Sequence, residues 1–144
     1  MKKKYKIGYT SGVFDLFHVG HLNILKKAKE QCDYLIVAVS TDELVSKYKS
    51  KTPVIEFAER ASIVEAIKYV DKVVPQEDRN KMGAYDKYKF DVMFVGDDWK
   101  GSPLWTQLEK DLSEKGAEIV YFGYTKQVSS TFLKEVLNKI HKED

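Results

Sequence analysis

Five short runs rich in β-branched and aromatic residues punctuate the chain, at 6–10, 34–39, 72–74, 91–95 and 118–122. Four of them lack a clean polar alternation in their centres, as strands buried on both faces do. Between them, the stretches 19–31, 58–70, 103–115 and 129–141 carry apolar residues three and four apart. Examples are Leu22, Leu25 and Ala28, then Ile63, Ala66, Ile67 and Val70, then Phe132, Leu133, Val136, Leu137 and Ile140, the spacing of amphipathic helices. Strand–helix alternation of this kind predicts an α/β chain with a five-stranded parallel sheet covered by helices on both faces. Right-handed crossovers bring the loops after the strand C-termini to one edge, where open α/β sheets bind ligands. Function is therefore expected in the loops at 11–21, 40–58, 96–103 and 123–131. Two stretches, 47–53 and 76–89, break the periodicity and are expected as surface loops.

Length and charge narrow the picture. The chain has 144 residues, enough for one core, so residues 1–144 are expected to form a single domain. It carries 24 Lys+Arg against 22 Asp+Glu, a formal net charge of +2, without the basic excess of a general nucleic-acid binder. Any anion site must be local. A single cysteine, Cys32, excludes an intramolecular disulfide and a Cys/His zinc cluster and fits a reducing cytoplasm. Met1 and the three lysines after it imitate the start of a signal peptide, but the following residues are polar and contain glycine, so export by that route is not expected. No apolar run approaches the ~18 residues of a membrane span, and a soluble protein without membrane attachment is expected.

The segment at 10–23 carries the chemistry. It leaves the first strand and opens the first helix, where free backbone N–H groups and the positive end of a helix dipole form an anion site. Gly12 and Gly20 remove side chains that would hold a phosphate away. His18 and His21, three apart, fall on one side of a first helical turn and can donate to phosphate oxygens. Attack on an α-phosphate by another phosphate needs alignment and charge stabilisation rather than a covalent intermediate. Two other readings stay open on the residues alone: His18 as a simple cap, and Asp15, His18 and His21 as metal ligands.

The run from Gly12 to His21, with its FDxxHxGH pattern, resembles the signature of the cytidylyltransferase branch of the nucleotidyltransferase superfamily. The likeness extends through 33–43, Glu59 and Arg60, 69–71, 95–99 and 128–131. It implies the Rossmann-like nucleotidyltransferase fold and transfer of CMP from CTP to a small phosphate monoester, glycerol 3-phosphate first among the acceptors, with release of pyrophosphate. Other phosphorylated acceptors such as phosphocholine or phosphoethanolamine, adenylyl transfer to a sugar phosphate, and a nucleotide-sensing domain are the alternatives. Mg²⁺ would travel with the triphosphate, no dedicated metal site being expected. A cytoplasmic homodimer acting without nucleic acid or membrane is also implied, as the relatives' added membrane-binding helix has no counterpart here.

By position, the resemblance implies that His18, His21 and Lys51 act on the reacting phosphates. It gives nucleotide binding to Ser11, Gly12, Val13, Phe14, Asp15 and Gly20, to Gly96, Asp97, Asp98 and Trp99, and to Tyr124, Thr125, Val128, Ser129, Ser130 and Thr131. Lys49, Lys51, Lys68 and Lys126 would face the acceptor. The segment 124–131 departs from the family pattern RTEGISTT: Tyr124, Lys126 and Gln127 stand where the family has Arg, Glu and Gly, and Lys68 replaces a family arginine. A lysine restores charge but not the planar fork of an arginine, so an altered acceptor preference is expected.

Overall fold

The computed structural model describes residues 4–49, 51–97, 100–123 and 130–143. Five strands, β1 (Tyr5–Gly12), β2 (Cys32–Ser40), β3 (Lys72–Gln76), β4 (Val92–Gly96) and β5 (Glu118–Phe122), form one parallel sheet in the order β3-β2-β1-β4-β5. Among the described residues six helices connect and follow them: α1 (Val19–Gln31), α2 (Asp42–Lys49), α3 (Phe57–Glu65), α4 (Lys81–Tyr88), α5 (Pro103–Glu114) and α6 (Ser130–Glu143). The chain winds outward from β1 through β2 to β3, then crosses back to β4 on the other side of β1. That reversal opens a crevice between the C-terminal ends of β1 and β4, the usual ligand position in such sheets.

Both faces of the sheet are covered. Leu35, Val37 and Val39 of β2 pack with Leu25 and Ala28 of α1, Val64 of α3, Phe94 and Phe122 on one face. Ile36 and Ala38 join Tyr9, Val74, Phe90, Met93 and Leu112 on the other, with Met82, Ala84 and Tyr85 of α4 at the margin. Burial of successive β2 side chains explains the missing polar alternation. Gly8 admits the closest packing: a Cβ there would stand 2.6 Å from Phe94 and 2.7 Å from Cys32.

The structure corrects three sequence expectations. The stretch 76–89 is not a loop throughout, since α4 occupies most of it. The Asn80 side chain caps α4 by accepting the Gly83 N–H at 2.9 Å, and Lys89 ends it in the left-handed conformation. Only eight residues long and interrupted by Gly83, it is too short to show a helical period clearly. The stretch 47–53 begins inside α2, which runs to Lys49. The helix expected over 58–70 stops at Glu65; Ile67 and Val70 reach the core from the turns that follow, so their spacing reflects burial rather than helix. Pro75 lies in β3, an edge strand of this sheet, where a missing N–H costs no ladder bond.

Candidate active site

His18 is the N-cap of α1. Its Nδ1 accepts the backbone N–H of Gly20 at 3.0 Å, and Nδ1 of His21 accepts the backbone N–H of His18 at 3.2 Å. The reciprocal bonds satisfy two orphan donors of the helix start. They also fix both tautomers: a ring nitrogen that accepts carries no proton, so each neutral imidazole bears its hydrogen on Nε2. The rings lie nearly parallel with centroids 4.0 Å apart. Burial pushes the His21 pKa down to about 4, with the neighbouring His18 adding to the shift and Asp15 opposing it. Burial lowers His18 as well. At neutral pH the pair is thus two uncharged Nε2–H donors. The His18 Nε2 is buried with no hydrogen-bond partner among the described residues, an arrangement that a structural cap does not require.

The loop that presents these rings is under backbone strain. Phe14 and Leu16 have φ of 56° and 51°, in a left-handed region that costs a non-glycine residue on the order of 1–3 kcal/mol. Surrounding contacts hold it there. Arg60, fully buried on α3, donates to the carbonyls of Val13 at 2.7 Å, Ser40 at 2.8 Å and Ile55 at 2.7 Å, and pairs with Asp42 at 2.6 Å. One guanidinium therefore joins the ends of β1 and β2, the start of α2 and the chain before α3. Asp15, also buried, accepts the N–H groups of Val54 at 2.8 Å and Ile55 at 2.9 Å and pairs with Lys134 of α6 at 2.9 Å. Burial works to raise its pKa, but Lys134 and the two N–H groups outweigh it and hold the carboxyl below its usual range. The Phe14 ring meets His21 edge-on at 5.5 Å, and a Cβ at Gly12 would come within 3.1 Å of that ring.

Ser11, Gly12, Val13, Phe14, Asp15, His18, Gly20 and His21 thus come together at the mouth of β1, with Gly96 at the adjacent end of β4. Asp15 is committed to loop N–H groups and Lys134, and no group of three or more His, Cys, Asp or Glu that could hold a metal forms among the described residues. Asp97 is exposed, its carboxylate 3.9 Å from where a Cβ on Gly123 would stand. Lys51 is exposed on the α2–α3 connection, and Lys68 is exposed beyond α3 with its ammonium over the Tyr69 ring at 5.3 Å. Asp98, Trp99, Tyr124, Thr125, Lys126, Gln127, Val128 and Ser129 lie outside the described residues, as do the side chains of Lys49, Ser130 and Thr131. The pair Asp15–Lys134, one turn into α6, nevertheless sets the start of that helix beside the histidine loop.

Sequence reasoning assigned no role to Arg60, Lys134 or Lys81. Lys81 donates from Nζ to Ser11 Oγ at 2.8 Å; the loop after β3, from which it comes, was not among those expected to carry function. Arg60 stood among the residues that carry the family likeness, and its place between Phe57 and Val64 in an otherwise apolar helical face was a second signal.

Comparison with known proteins agrees with this geometry. The Cytidylyltransferase-like family model matches residues 9–136. The chain is 36% identical over 129 residues to a glycerol-3-phosphate cytidylyltransferase of Staphylococcus aureus, covering 89% of this chain and 92% of that one. It is 38% identical over 128 residues to the Bacillus subtilis protein of the same name, covering 88% and 92%. Among solved structures, the lipopolysaccharide core biosynthesis protein of Thermoplasma volcanium superposes with a TM-score of 0.70 at 24% identity, over 86% of this chain and 99% of that one. The pantoate-beta-alanine ligase of Francisella tularensis does so at 0.64 and 18%, over 99% and 72%; at these identities the likeness concerns the fold. A parallel sheet with paired imidazoles at the mouth of its first strand, matched over most of its length, places this chain in the cytidylyltransferase-like family of nucleotidyltransferases.

Proposed function

We propose that the protein transfers CMP from CTP to glycerol 3-phosphate, giving CDP-glycerol and pyrophosphate. The observation that carries the reading is the buried Nε2–H of His18, without a partner among the described residues and stacked on His21; the names of similar relatives supply the nucleotide and the acceptor. In the reaction, an oxygen of the acceptor phosphate attacks the α-phosphorus. The bond from that phosphorus to the bridging oxygen breaks, and pyrophosphate leaves with the electron pair. Charge accumulates on the equatorial oxygens as this happens, and two fixed neutral donors stabilise it without reorganising. No proton transfer is asked of them, which fits their depressed pKa values.

Mg²⁺ enters as part of the substrate, bound to triphosphate oxygens. Ser129, Ser130 and Thr131, at the start of α6, take the outer phosphates in this reading, and Asp98 and Trp99 the nucleoside. Lys49 and Lys51 close on the phosphates, and Lys68 and Lys126 face the acceptor. The enzyme works as a cytoplasmic homodimer. Near-neutral net charge and a single, buried cysteine, Cys32, support a small-molecule role in a reducing compartment, and no described helix is long and apolar enough to cross a membrane.

Pyrophosphate release with CTP or ATP, across a panel of phosphorylated alcohols, amino alcohols and sugars, tests the reading. Turnover with CTP and glycerol 3-phosphate above all others is expected. Preference for ATP would move the protein to adenylyl transfer, and no turnover of any triphosphate would leave a sensing domain.

A further inference from the structure

The connection from β3 to α4 is fastened to α2 at both ends of that helix. At the start of α2, the Gln76 carbonyl accepts the N–H of Thr41 at 3.1 Å, and the Gln76 side-chain oxygen accepts the Ser40 hydroxyl at 2.8 Å. At the far end, the Arg79 guanidinium lies over the Tyr48 ring, 4.6 Å from its centroid. The same connection runs on into Lys81, which donates to Ser11 at the end of β1. A short path of contacts therefore leads from the last turn of α2 to the mouth of β1.

The two ends of α2 differ in how they are held. Leu44 and Val45 are buried, and Asp42 accepts the Phe57 N–H at 3.1 Å and pairs with Arg60, so the first turns are seated by the core. Ser46, Lys47 and Tyr48 are exposed, and there the contact with Arg79 ties the helix to the rest of the site. Arg79 is a costly residue for its place. It directly precedes the Asn80 cap of α4, where the helix dipole presents positive charge, and it repels Lys81, whose pKa is pushed down to about 8 by burial first and by Arg79 second. The face of an aromatic ring offsets that cost. We propose that Arg79 is a positioning residue: by holding Tyr48 it fixes the last turn of α2, and with it the point from which Lys49 and Lys51 reach the phosphates beside Ser11 and the histidine loop. The inference rests on the proposed role of those two lysines and adds what places them.

Amide exchange and steady-state pyrophosphate release from CTP and glycerol 3-phosphate, for wild type, Arg79→Gln, Arg79→Lys and Tyr48→Leu, test this. An exposed cation–aromatic contact is worth about 2- to 5-fold in an equilibrium, so exchange in the last turn of α2 should quicken by that factor in Arg79→Gln and Tyr48→Leu. The value of kcat/KM for CTP should fall by a similar factor. Arg79→Lys, which keeps a cation for the ring, should recover part of both, and melting temperatures should stay near wild type because Leu44 and Val45 still seat the helix. In a Lys49→Ala/Lys51→Ala background, adding Arg79→Gln should lower kcat/KM no further, since nothing is left to place. Unaltered exchange in Arg79→Gln, or a loss of kcat/KM that persists undiminished without the lysines, would overturn the assignment of Arg79. Wild-type kcat/KM in the Lys49→Ala/Lys51→Ala variant would instead remove the reading of the lysines, and the proposal with it.

Discussion

The Nδ1 of His21 accepts the backbone N–H of His18, and the two imidazoles stack 4.0 Å apart. One nitrogen of each ring starts the helix, and at His18 the other is left as a buried donor without a partner among the described residues, so the proposed catalytic pair is also the cap.

That arrangement makes stability depend on pH. His21 is depressed to about 4 in the folded protein, against about 6.5 in an unfolded chain. Its contribution is fully present above pH 6.5. As pH falls the unfolded state binds a proton that the native state refuses, so stability declines from pH 6.5 to about 4 and levels off below. The loss is up to about 3 kcal/mol. Urea unfolding of wild type and His21→Gln at pH 7.5 and 5.0 checks this; the variant should lose clearly less on acidification.

Arg60 should prove the loops' common anchor. Lysine keeps the charge but cannot reach the carbonyls of Val13, Ser40 and Ile55 and the Asp42 carboxylate together. Arg60→Lys should cost on the order of 2–4 kcal/mol in denaturant unfolding. It should also raise KM for both substrates, because Val13 belongs to the strained loop that presents His18.

The Asp15–Lys134 pair couples α6 to that loop. Lys134 is about a third exposed while Asp15 is buried, so solvent weakens the attraction and a coupling energy of about 1 kcal/mol is expected from a double-mutant cycle of Asp15→Asn and Lys134→Met. Amide exchange in the first turns of α6 should quicken in either single variant. Unaltered exchange in both would show that the pair does not hold the helix.

The sheet was legible in the sequence because its strands are buried on both faces, and runs such as Leu35 to Val39 leave few alternatives. The histidine loop was legible because its glycines and imidazoles serve a backbone geometry that few other residues can adopt. Helix α4 was not, being short and polar, and its stability comes from the Asn80 cap and from packing of Met82 and Tyr85. The contacts of Arg60 and Lys81 were not legible for a related reason. Their meaning lies in partners 47 and 70 residues away in sequence, and a charged residue on a helix reads as surface until the fold buries it.

The most direct test of the catalytic assignment is kcat of His18→Asn for CTP and glycerol 3-phosphate, measured beside its melting temperature. Asparagine is as good an N-cap as any residue, so the helix start is preserved while the Nε2–H donor is lost. A fall in kcat on the order of 10²-fold or more is predicted, with the melting temperature and the CTP KM little changed. A variant that keeps near-wild-type kcat would contradict the account, because His18 would then be only a cap.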